Sequence, residues 1–271
     1  MFLAAAALAV AAGCGGGQHV DRGKAQTRLD LCAELLTKRE YEAAETECKK
    51  ALQFDPHDHR AHNYLGLIDV LRAADMHKIL EIDDCLTGVD AEGLSKKKDR
   101  HLLDARAHFE DAIAARRDYG EAYSNLGAVL LQLEEYEAAA AAFRKALENA
   151  ATLQNPSLTR TNLAWVYFHL GRLPEAAAEL RQALRFEPDM CLAHYRLGRV
   201  YFARKEWDKA LAEFEKVAAQ LRVCPIQEAH LYLMKTYVQT GLGANLPRVA
   251  QACVALAPQS CVAAECRALV P

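Results

Sequence analysis

The stretch that decides the fold is residues 120–153, which read GEAYSNLGAVLLQLEEYEAAAAAFRKALENAATL. It holds a triplet of small and aromatic residues at helical spacing, Ala139, Phe143 and Ala146. The same spacing returns at Ala105-Phe109-Ala112, Ala176-Leu180-Ala183 and Ala210-Phe214-Val217, and the starts lie 34, 37 and 34 residues apart. A period of this length is typical of a solenoid, in which each unit buries its apolar face against its neighbours.

A second pattern lies ahead of most triplets and supplies a small residue where two helices must approach closely. It consists of the pairs Leu65-Gly66, Leu126-Gly127, Leu163-Ala164 and Leu197-Gly198. Within residues 120–153 the two patterns together comprise Tyr123, Leu126, Gly127, Leu130, Tyr136, Ala139, Phe143 and Ala146. This combination resembles the tetratricopeptide repeat. The resemblance implies an all-α fold: a right-handed α-solenoid of about six tetratricopeptide helix pairs with a C-terminal capping helix.

The repeat anchors divide residues 25–260 into an array of helix pairs. Its units lie at about 25–58, 59–119, 120–153, 157–190, 191–224 and 227–260. The second unit holds 27 residues more than the basic 34, and the excess is roughly residues 73–100. We interpret it as a longer helix hairpin, a solvated loop or an insertion that alters recognition. Residues 261–271 are expected to cover the last apolar face as a C-terminal cap.

The first residues predict export. Residues 1–13, MFLAAAALAVAAG, are apolar but too short to span a bilayer as a stable anchor, which indicates a lipoprotein signal peptide. The run Ala11-Ala12-Gly13-Cys14 resembles the bacterial lipobox, so we expect Cys14 to carry lipid and residues 14–24 to form a tether. An ordinary secretory signal is the alternative. Because Gly15 rather than Asp follows the cysteine, resemblance to enterobacterial sorting implies an outer-membrane anchor that faces the periplasm.

Export changes how the nine cysteines are interpreted, because an oxidising periplasm favours disulfides. None shows the paired CxxC spacing of a structural zinc site. The alternative for every pair is a buried free thiol that acts as a small core residue. The candidate bridges are Cys32 with Cys48, Cys191 with Cys224, and Cys253 with Cys266 or Cys261.

Composition and motifs argue against several function classes. The net charge of −3 supplies no basic footprint for nucleic acid. No GxSxG, HExxH or phosphate-binding Gly loop occurs, so we expect no enzyme, no cofactor and no small-molecule substrate. The metal-capable run is His57, His59 and His62, but Asp58 suits a helix N-cap and we expect no metal there.

The inner face of the array is the candidate site, because positions 2, 5, 9 and 12 of each first helix line it in tetratricopeptide repeats. Its middle stripe is apolar and aromatic, which marks a protein-binding surface for an amphipathic helix or an extended apolar segment. The alternative is that position 12 residues such as Phe168 and Phe202 only pack between helices. The predicted partner-binding groove comprises Leu67, Val70, Leu131, Trp165, Phe168, Tyr195, Arg199 and Phe202.

The lipobox, the short tether, the six units and the lengthened turn ahead of Asn162-Leu163 together resemble the type IV pilus pilotin family of Tgl, PilF and PilW. The resemblance implies a non-enzymatic outer-membrane lipoprotein. Such a protein binds secretin subunits and promotes their multimerisation into the pilus pore. The alternative is a periplasmic tetratricopeptide scaffold that recruits cell-wall hydrolases or other envelope proteins.

Overall fold

The computed structural model describes residues 20–83 and 91–270. Within these ranges every regular element is helical and no strand occurs, which confirms the predicted all-α fold. The helices are α1 Arg22–Thr37, α2 Tyr41–Phe54, α3 His59–Asp83, α4 Ala91–Ala115, α5 Gly120–Gln132, α6 Tyr136–Glu148, α7 Pro156–His169, α8 Leu173–Phe186, α9 Cys191–Ala203, α10 Trp207–Ala218, α11 Gln227–Thr240, α12 Leu246–Leu256 and α13 Cys261–Ala268. The predicted signal peptide, residues 1–13, and Cys14 lie outside the described residues.

Consecutive helices pack as hairpins, because short turns leave each helix no room to lie anywhere but beside its predecessor. The first helix of a unit ends in the same way in five units. Residue 15 of the unit adopts the left-handed conformation, which stops the helix and turns the chain. These residues are Arg39, Glu134 and Lys205, with φ of 60°, 61° and 58°, and Gly171 and Gly241, with φ of 72° and 74°.

Small residues let the two helices of a hairpin touch. A Cβ added to Gly198 would lie 2.5 Å from a ring carbon of Phe214, a distance that real Cβ atoms do not adopt. The fourth unit has Ala164 instead, facing the smaller Leu180, and both are fully buried. The same glycine–phenylalanine contact recurs between Gly66 and Phe109 and between Gly127 and Phe143, where the shortest distances are 2.6 and 2.8 Å.

The two helices of each unit occupy different faces of the array. Successive first helices contact one another, from α1 with α3 through to α9 with α11. Within the described residues, no two successive second helices make contacts of comparable extent. The first helices therefore line the narrower inner face, and the second helices form the outer face.

The second unit differs from its neighbours by having longer helices. Helix α3 continues beyond the repeat template, which ends near Arg72, to Asp83, and α4 already begins at Ala91. Within the predicted insertion, residues 73–83 thus lengthen α3, and residues 91–100 belong to α4. Residues 84–90 lie outside the described residues.

The start of the array corrects one predicted boundary. Helix α1 begins at Arg22, because Asp21 caps it by accepting a hydrogen bond from the Lys24 amide at 3.1 Å. Residues 22–24, which the sequence analysis assigned to the tether of residues 14–24, therefore belong to the first helix.

The end of the array is closed by α13, which packs against α11 and α12. Ser260 caps this helix by accepting a hydrogen bond from the Ala263 amide at 3.1 Å. Ala263 and Cys266 are fully buried beneath it. None of the helices in residues 20–83 and 91–270 is long and apolar enough to cross a lipid bilayer.

Candidate partner-binding surface

Aromatic side chains of three successive first helices meet on the inner face. The Trp165 and Phe168 rings stack with their centroids 4.6 Å apart, and Tyr195 lies 6.4 Å from Trp165. The Phe202 ring meets Tyr232 edge-on at 5.3 Å. These residues lie on helices α7, α9 and α11. We call them the inner aromatic cluster: Trp165, Phe168, Tyr195, Phe202 and Tyr232.

The guanidinium group of Arg199 lies at the centre of the inner aromatic cluster. Its carbon is 3.8 Å from the Tyr232 ring centroid, 5.4 Å from Trp165 and 5.5 Å from Phe168. One guanidinium nitrogen donates a hydrogen bond to the Tyr195 hydroxyl at 2.7 Å. In the described part of the chain no carboxylate forms an ion pair with Arg199. Cation–π contacts hold the guanidinium group in place, and its positive charge remains available to a partner.

A second arginine lies beside the same tryptophan. Arg196 donates hydrogen bonds to the Thr161 carbonyl at 2.9 Å and to the Asn162 side-chain oxygen at 2.7 Å, and it lies 5.2 Å from the Trp165 ring. Burial lowers the pKa of Arg196 to about 10, so the group stays charged at neutral pH. No carboxylate among the described residues pairs with it either, which places two uncompensated positive charges on this surface.

Not every predicted groove residue is exposed to solvent on the inner face. Tyr195 is only 8% exposed, because its ring packs 6.4 Å from Phe214 of the neighbouring helix. Burial raises the pKa of Tyr195 even though Arg199 opposes the shift, so the hydroxyl stays neutral and can accept from Arg199. Tyr195 therefore supports the surface rather than forming its exposed part.

The predicted groove residues of units two and three also pack toward the core. Leu67 and Val70 are partly buried against the hydrophobic cluster around Phe109. Leu131 is partly buried against the cluster that contains Leu163. These three residues line no aromatic surface, and the candidate site lies in units four to six.

The inner face of the earlier units is polar. The Asn125 side chain donates to Asn63 at 3.0 Å, and the hydroxyls of Ser124 and Thr159 bond at 2.8 Å. The inner face thus changes along the array from hydrogen-bonded amides and hydroxyls to aromatic rings with arginines.

Sequence reasoning missed two members of this surface. Arg196 and Tyr232 both occupy position 6 of their units, whereas the family pattern directs attention to positions 2, 5, 9 and 12. The sequence did carry a signal for them, because it places a cation and an aromatic residue at the same position of adjacent units. Position 6 contributes here because α9 and α11 each turn that side chain toward the preceding first helix, where Arg196 meets Trp165 and Tyr232 meets Arg199.

The predicted cysteine pairs lie within bonding distance. The structure joins Cys32 to Cys48, Cys191 to Cys224, and Cys253 to Cys266, with Cα–Cα distances of 5.4, 5.5 and 6.5 Å. Of the two partners left open for Cys253, the structure selects Cys266, and Cys261 is also a disulfide cysteine. The bridges tie the first hairpin, the junction between units five and six, and the cap.

The histidines of the run His57, His59 and His62 do not converge on one point. The His59 ring lies edge-on to Tyr119 at 4.8 Å, and burial lowers the pKa of His59. Asp58 caps α3 by accepting hydrogen bonds from the Arg60 and Ala61 amides, at 2.9 and 3.3 Å. His57 is exposed, and His62 points instead to helix α4.

A cleft of about 730 Å³ lies on the outer face between α8 and α10. Arg181, Arg185 and Lys216 give it a basic lining. Its His194 and Glu213 bond to each other at 2.5 Å, so their hydrogen-bonding capacity is used within the fold. The cleft lies away from the inner aromatic cluster.

Comparison with known proteins agrees with this architecture. Two family models of the tetratricopeptide repeat match residues 118–186 and 161–222. Residues 118–222 are tetratricopeptide repeats, and the described helices form a solenoid of that type. Such repeats are generally non-enzymatic scaffolds that bind other proteins. No curated protein sequence matches the chain.

Several solved structures share the fold of this chain. PilF of Pseudomonas aeruginosa is similar with a TM-score of 0.69 and 16% identity, over 91% of this chain and 97% of that chain. PilW, described as a widely conserved type IV pilus biogenesis factor, gives a TM-score of 0.68 and 20% identity, over 89% of this chain and 96% of that chain. The Cut9–Hcn1 assembly of the APC/C matches with a TM-score of 0.69 and 16% identity, over 91% of this chain but 42% of that chain. At these identities the likeness shows the fold alone.

Proposed function

We propose that this protein is an outer-membrane lipoprotein that acts as a pilotin for a type IV pilus secretin. In this proposal Cys14 carries the lipid, the array faces the periplasm, and the protein binds secretin subunits and promotes their multimerisation. The observation that carries it is the match to PilF and PilW, which spans nearly the whole length of both partners in each comparison. The larger Cut9–Hcn1 assembly shares only part of its chain with this fold.

The inner aromatic cluster with Arg196 and Arg199 is the proposed binding surface. Aromatic residues and arginine are the residue types that dominate interface energies. Arg196 and Arg199 form no ion pair with a carboxylate of the described residues, which favours a negatively charged ligand. The proposed ligand is therefore a secretin segment that combines apolar side chains with a carboxylate and that is exposed before the secretin ring closes.

The mechanism requires no chemistry from the protein. A solenoid displays its binding residues on a rigid face, so little conformational entropy is lost on binding. Holding the apolar segment of each subunit prevents its aggregation until neighbouring subunits replace the contact. The lipid anchor would keep this step at the membrane into which the ring inserts.

The test is complementation of a deletion strain, with secretin multimers measured on gels without heat denaturation. We expect wild-type protein to restore multimers, and Trp165→Ala combined with Arg199→Gln to lose them while the lipoprotein stays abundant. Phe186→Ala is the matched control, because Phe186 is 71% exposed on an outer-face helix and should be dispensable. Cys14→Ser should lose the outer-membrane location and the multimers with it.

Normal multimers in the double variant would count against the surface. Normal multimers in the deletion strain itself would count against the function. Co-purification of a cell-wall hydrolase in place of a secretin would support the scaffold alternative.

A further inference from the structure

A side-chain pair recurs in three hairpins of this array, those of units one, four and five. A basic residue at position 4 of the first helix meets a carboxylate 19 residues later on the second helix. The pairs are Arg28 with Glu47 at 2.9 Å, Arg160 with Glu179 at 2.8 Å, and His194 with Glu213 at 2.5 Å. Each pair satisfies two partly buried polar groups at the base of its hairpin.

The second unit has two histidines at these positions. Its position 4 is His62. The equivalent residue of the second helix, counted 19 residues later plus the 27 extra residues of this unit, is a second histidine, His108. Nδ1 of His62 and Nδ1 of His108 are both buried, and neither has a hydrogen-bond partner among residues 20–83 and 91–270. Buried polar atoms without partners are rare in folded proteins and point to a missing ligand or ion.

The orientation of His62 is fixed by the backbone. Its Nε2 lies 3.2 Å from the Pro56 carbonyl oxygen, so Nε2 carries a proton and donates it. In the fifth unit, Nε2 of His194 makes the same contact with the Pro188 carbonyl at 2.7 Å. The two histidines are therefore held alike. They differ at Nδ1, which is hydrogen-bonded to Glu213 in unit five but has no hydrogen-bond partner among the described residues in unit two, where His108 and Asp111 lie beside it.

A third donor lies beside the two imidazoles. Asp111 follows His108 by one turn of α4, and its Oδ2 is 3.7 Å from Nδ1 of His62. One donor atom from each of His62, His108 and Asp111 lies within 4.8 Å of the others. Ligands of a tetrahedral ion with metal–nitrogen bonds of ~2.0–2.1 Å are separated by roughly 3.3–3.5 Å, so small side-chain movements suffice to close the site.

We propose that His62, His108 and Asp111 bind a divalent transition-metal ion of the zinc type at the base of the lengthened hairpin. Two imidazoles and one carboxylate suit Zn²⁺ rather than Ca²⁺ or Mg²⁺, which prefer sets of oxygen ligands. A metal-bound histidine ordinarily donates its other ring N–H to a carbonyl or carboxylate, as His62 does to Pro56. The Asp111 side chain is 61% exposed, which gives the ion a path from solvent and leaves room for a water ligand.

A neighbouring group is a weaker candidate. Asp69, His101 and Asp104 also lie close together. Asp69 already accepts a hydrogen bond from His101 at 2.9 Å and faces Arg72 at 3.6 Å. Its carboxylate is therefore satisfied without an ion, unlike the two orphaned nitrogens.

The experiment titrates the chelator-treated full chain with Zn²⁺ in a calorimeter and follows Co²⁺ by its visible absorption. We expect one ion per chain, with tetrahedral Co²⁺ bands, and at least tenfold weaker binding in His62→Gln and in His108→Gln. The matched controls are His57→Gln, an exposed histidine of the same segment, and His101→Gln, and both should bind Zn²⁺ as the wild type does. Zn²⁺ should raise the Tm of the wild type and of both controls, but not that of the two site variants.

Circular dichroism of the apo variants separates loss of the site from loss of the fold, and either site variant alone is sufficient for the test. Absence of Zn²⁺ binding by the wild type would overturn the proposal. So would binding that is unchanged in both site variants, or that is lost equally in His57→Gln or His101→Gln.

Discussion

At the residue scale, the array depends on contacts in which a glycine receives an aromatic ring. Gly198 and Phe214 are in contact because no Cβ stands between the α9 backbone and the ring. Phe214 is fully buried, so the ring cannot move aside into solvent. The position therefore requires glycine for close approach and not for backbone conformation, since Gly198 lies inside a regular helix.

Gly198→Ala tests this contact. Alanine is more favourable than glycine in a helix by about 1 kcal/mol, whereas overpacking a core costs about 1–3 kcal/mol, so we expect a net loss of up to about 2 kcal/mol. The measurement is the free energy of unfolding in urea. Gly23→Ala is the control, because its nearest atom would be 3.6 Å away and the change should be neutral or stabilising.

A second substitution tests whether a smaller side chain at position 214 relieves the overpacking. Phe214→Leu in the Gly198→Ala background recreates the alanine–leucine contact of Ala164 and Leu180. We expect it to recover part of the lost stability. Equal effects of Gly198→Ala and Gly23→Ala would show that close approach is not what selects glycine there.

Ion pairs at the same scale make stability depend on pH. Burial raises the pKa of Glu213, but hydrogen bonds from His194 and Lys216 outweigh it, so the pKa is lowered below its ordinary value of 4.5. A depressed carboxyl pKa gives stability that is present above about 4.5 and is lost as pH falls through the folded-state pKa. Both partners are largely buried, with side chains 10% and 13% exposed, so solvent screening is weak.

Glu213→Gln tests this linkage. Hydrogen bonds to charged groups contribute about 1.5–3 kcal/mol, so we expect a loss of that size at pH 7. The difference from wild type should shrink as pH falls from 6 to 3, because the wild type then protonates Glu213. Urea unfolding at several pH values measures it, with Glu187→Gln, an exposed carboxylate, as the control. A difference that stays constant down to pH 3 would contradict the linkage.

Residue positions differ in how far the sequence could predict them. Trp165 and Phe168 were placed on the inner face because their repeat positions fix the direction of the side chain. The burial of Tyr195 could not be predicted, because it depends on how closely the ring of Phe214 approaches from another helix. Leu67 and Val70 share the inner-face positions, yet they serve the core because Phe109 offers them an apolar neighbour.

At the element scale, each hairpin solves the same packing problem with different residues. Units two, three and five use glycine against phenylalanine, and unit four uses alanine against leucine. The first unit places Cys32 and Cys48 at these two positions, and a disulfide replaces the ring contact. The sequence alone predicted this pairing from position, while the free-thiol alternative stayed open until the helices were in place.

Removal of this bridge should destabilise the first hairpin. The Cys32–Cys48 bridge closes a loop of 16 residues, for which the chain-entropy model gives about 3 kcal/mol. We expect Cys32→Ala combined with Cys48→Ala to lower the free energy of unfolding by about that amount under oxidising conditions. Under dithiothreitol the wild type should approach the variant. A double variant as stable as the oxidised wild type would show that the thiols are free in solution.

Element ends were the least predictable feature. The repeat template ends the first helix of unit two near Arg72, yet α3 continues to Asp83 because residues 73–83 contain neither glycine nor proline. The start of α1 at Arg22 was missed because Asp21 precedes the first repeat anchor. Local capping and the absence of helix breakers, rather than the repeat period, set both ends.

At the scale of the whole molecule, the chemical character of the inner face changes from one end of the array to the other. Its inner face is polar in units two and three and aromatic and cationic in units four to six. The period and the anchor positions predicted the solenoid, because they depend on local helix packing. They could not predict where on the inner face a partner binds, because that depends on which side chains the neighbouring units leave uncovered.

Site-specific photocrosslinking tests whether a secretin subunit binds to the inner aromatic cluster. A benzophenone amino acid replaces Phe168 on the inner face or Phe186 on the outer face, in cells that assemble the secretin. We expect a crosslink to a secretin subunit from position 168 and none from position 186. A secretin crosslink from position 186 alone, or crosslinks from position 168 only to other proteins, would contradict it.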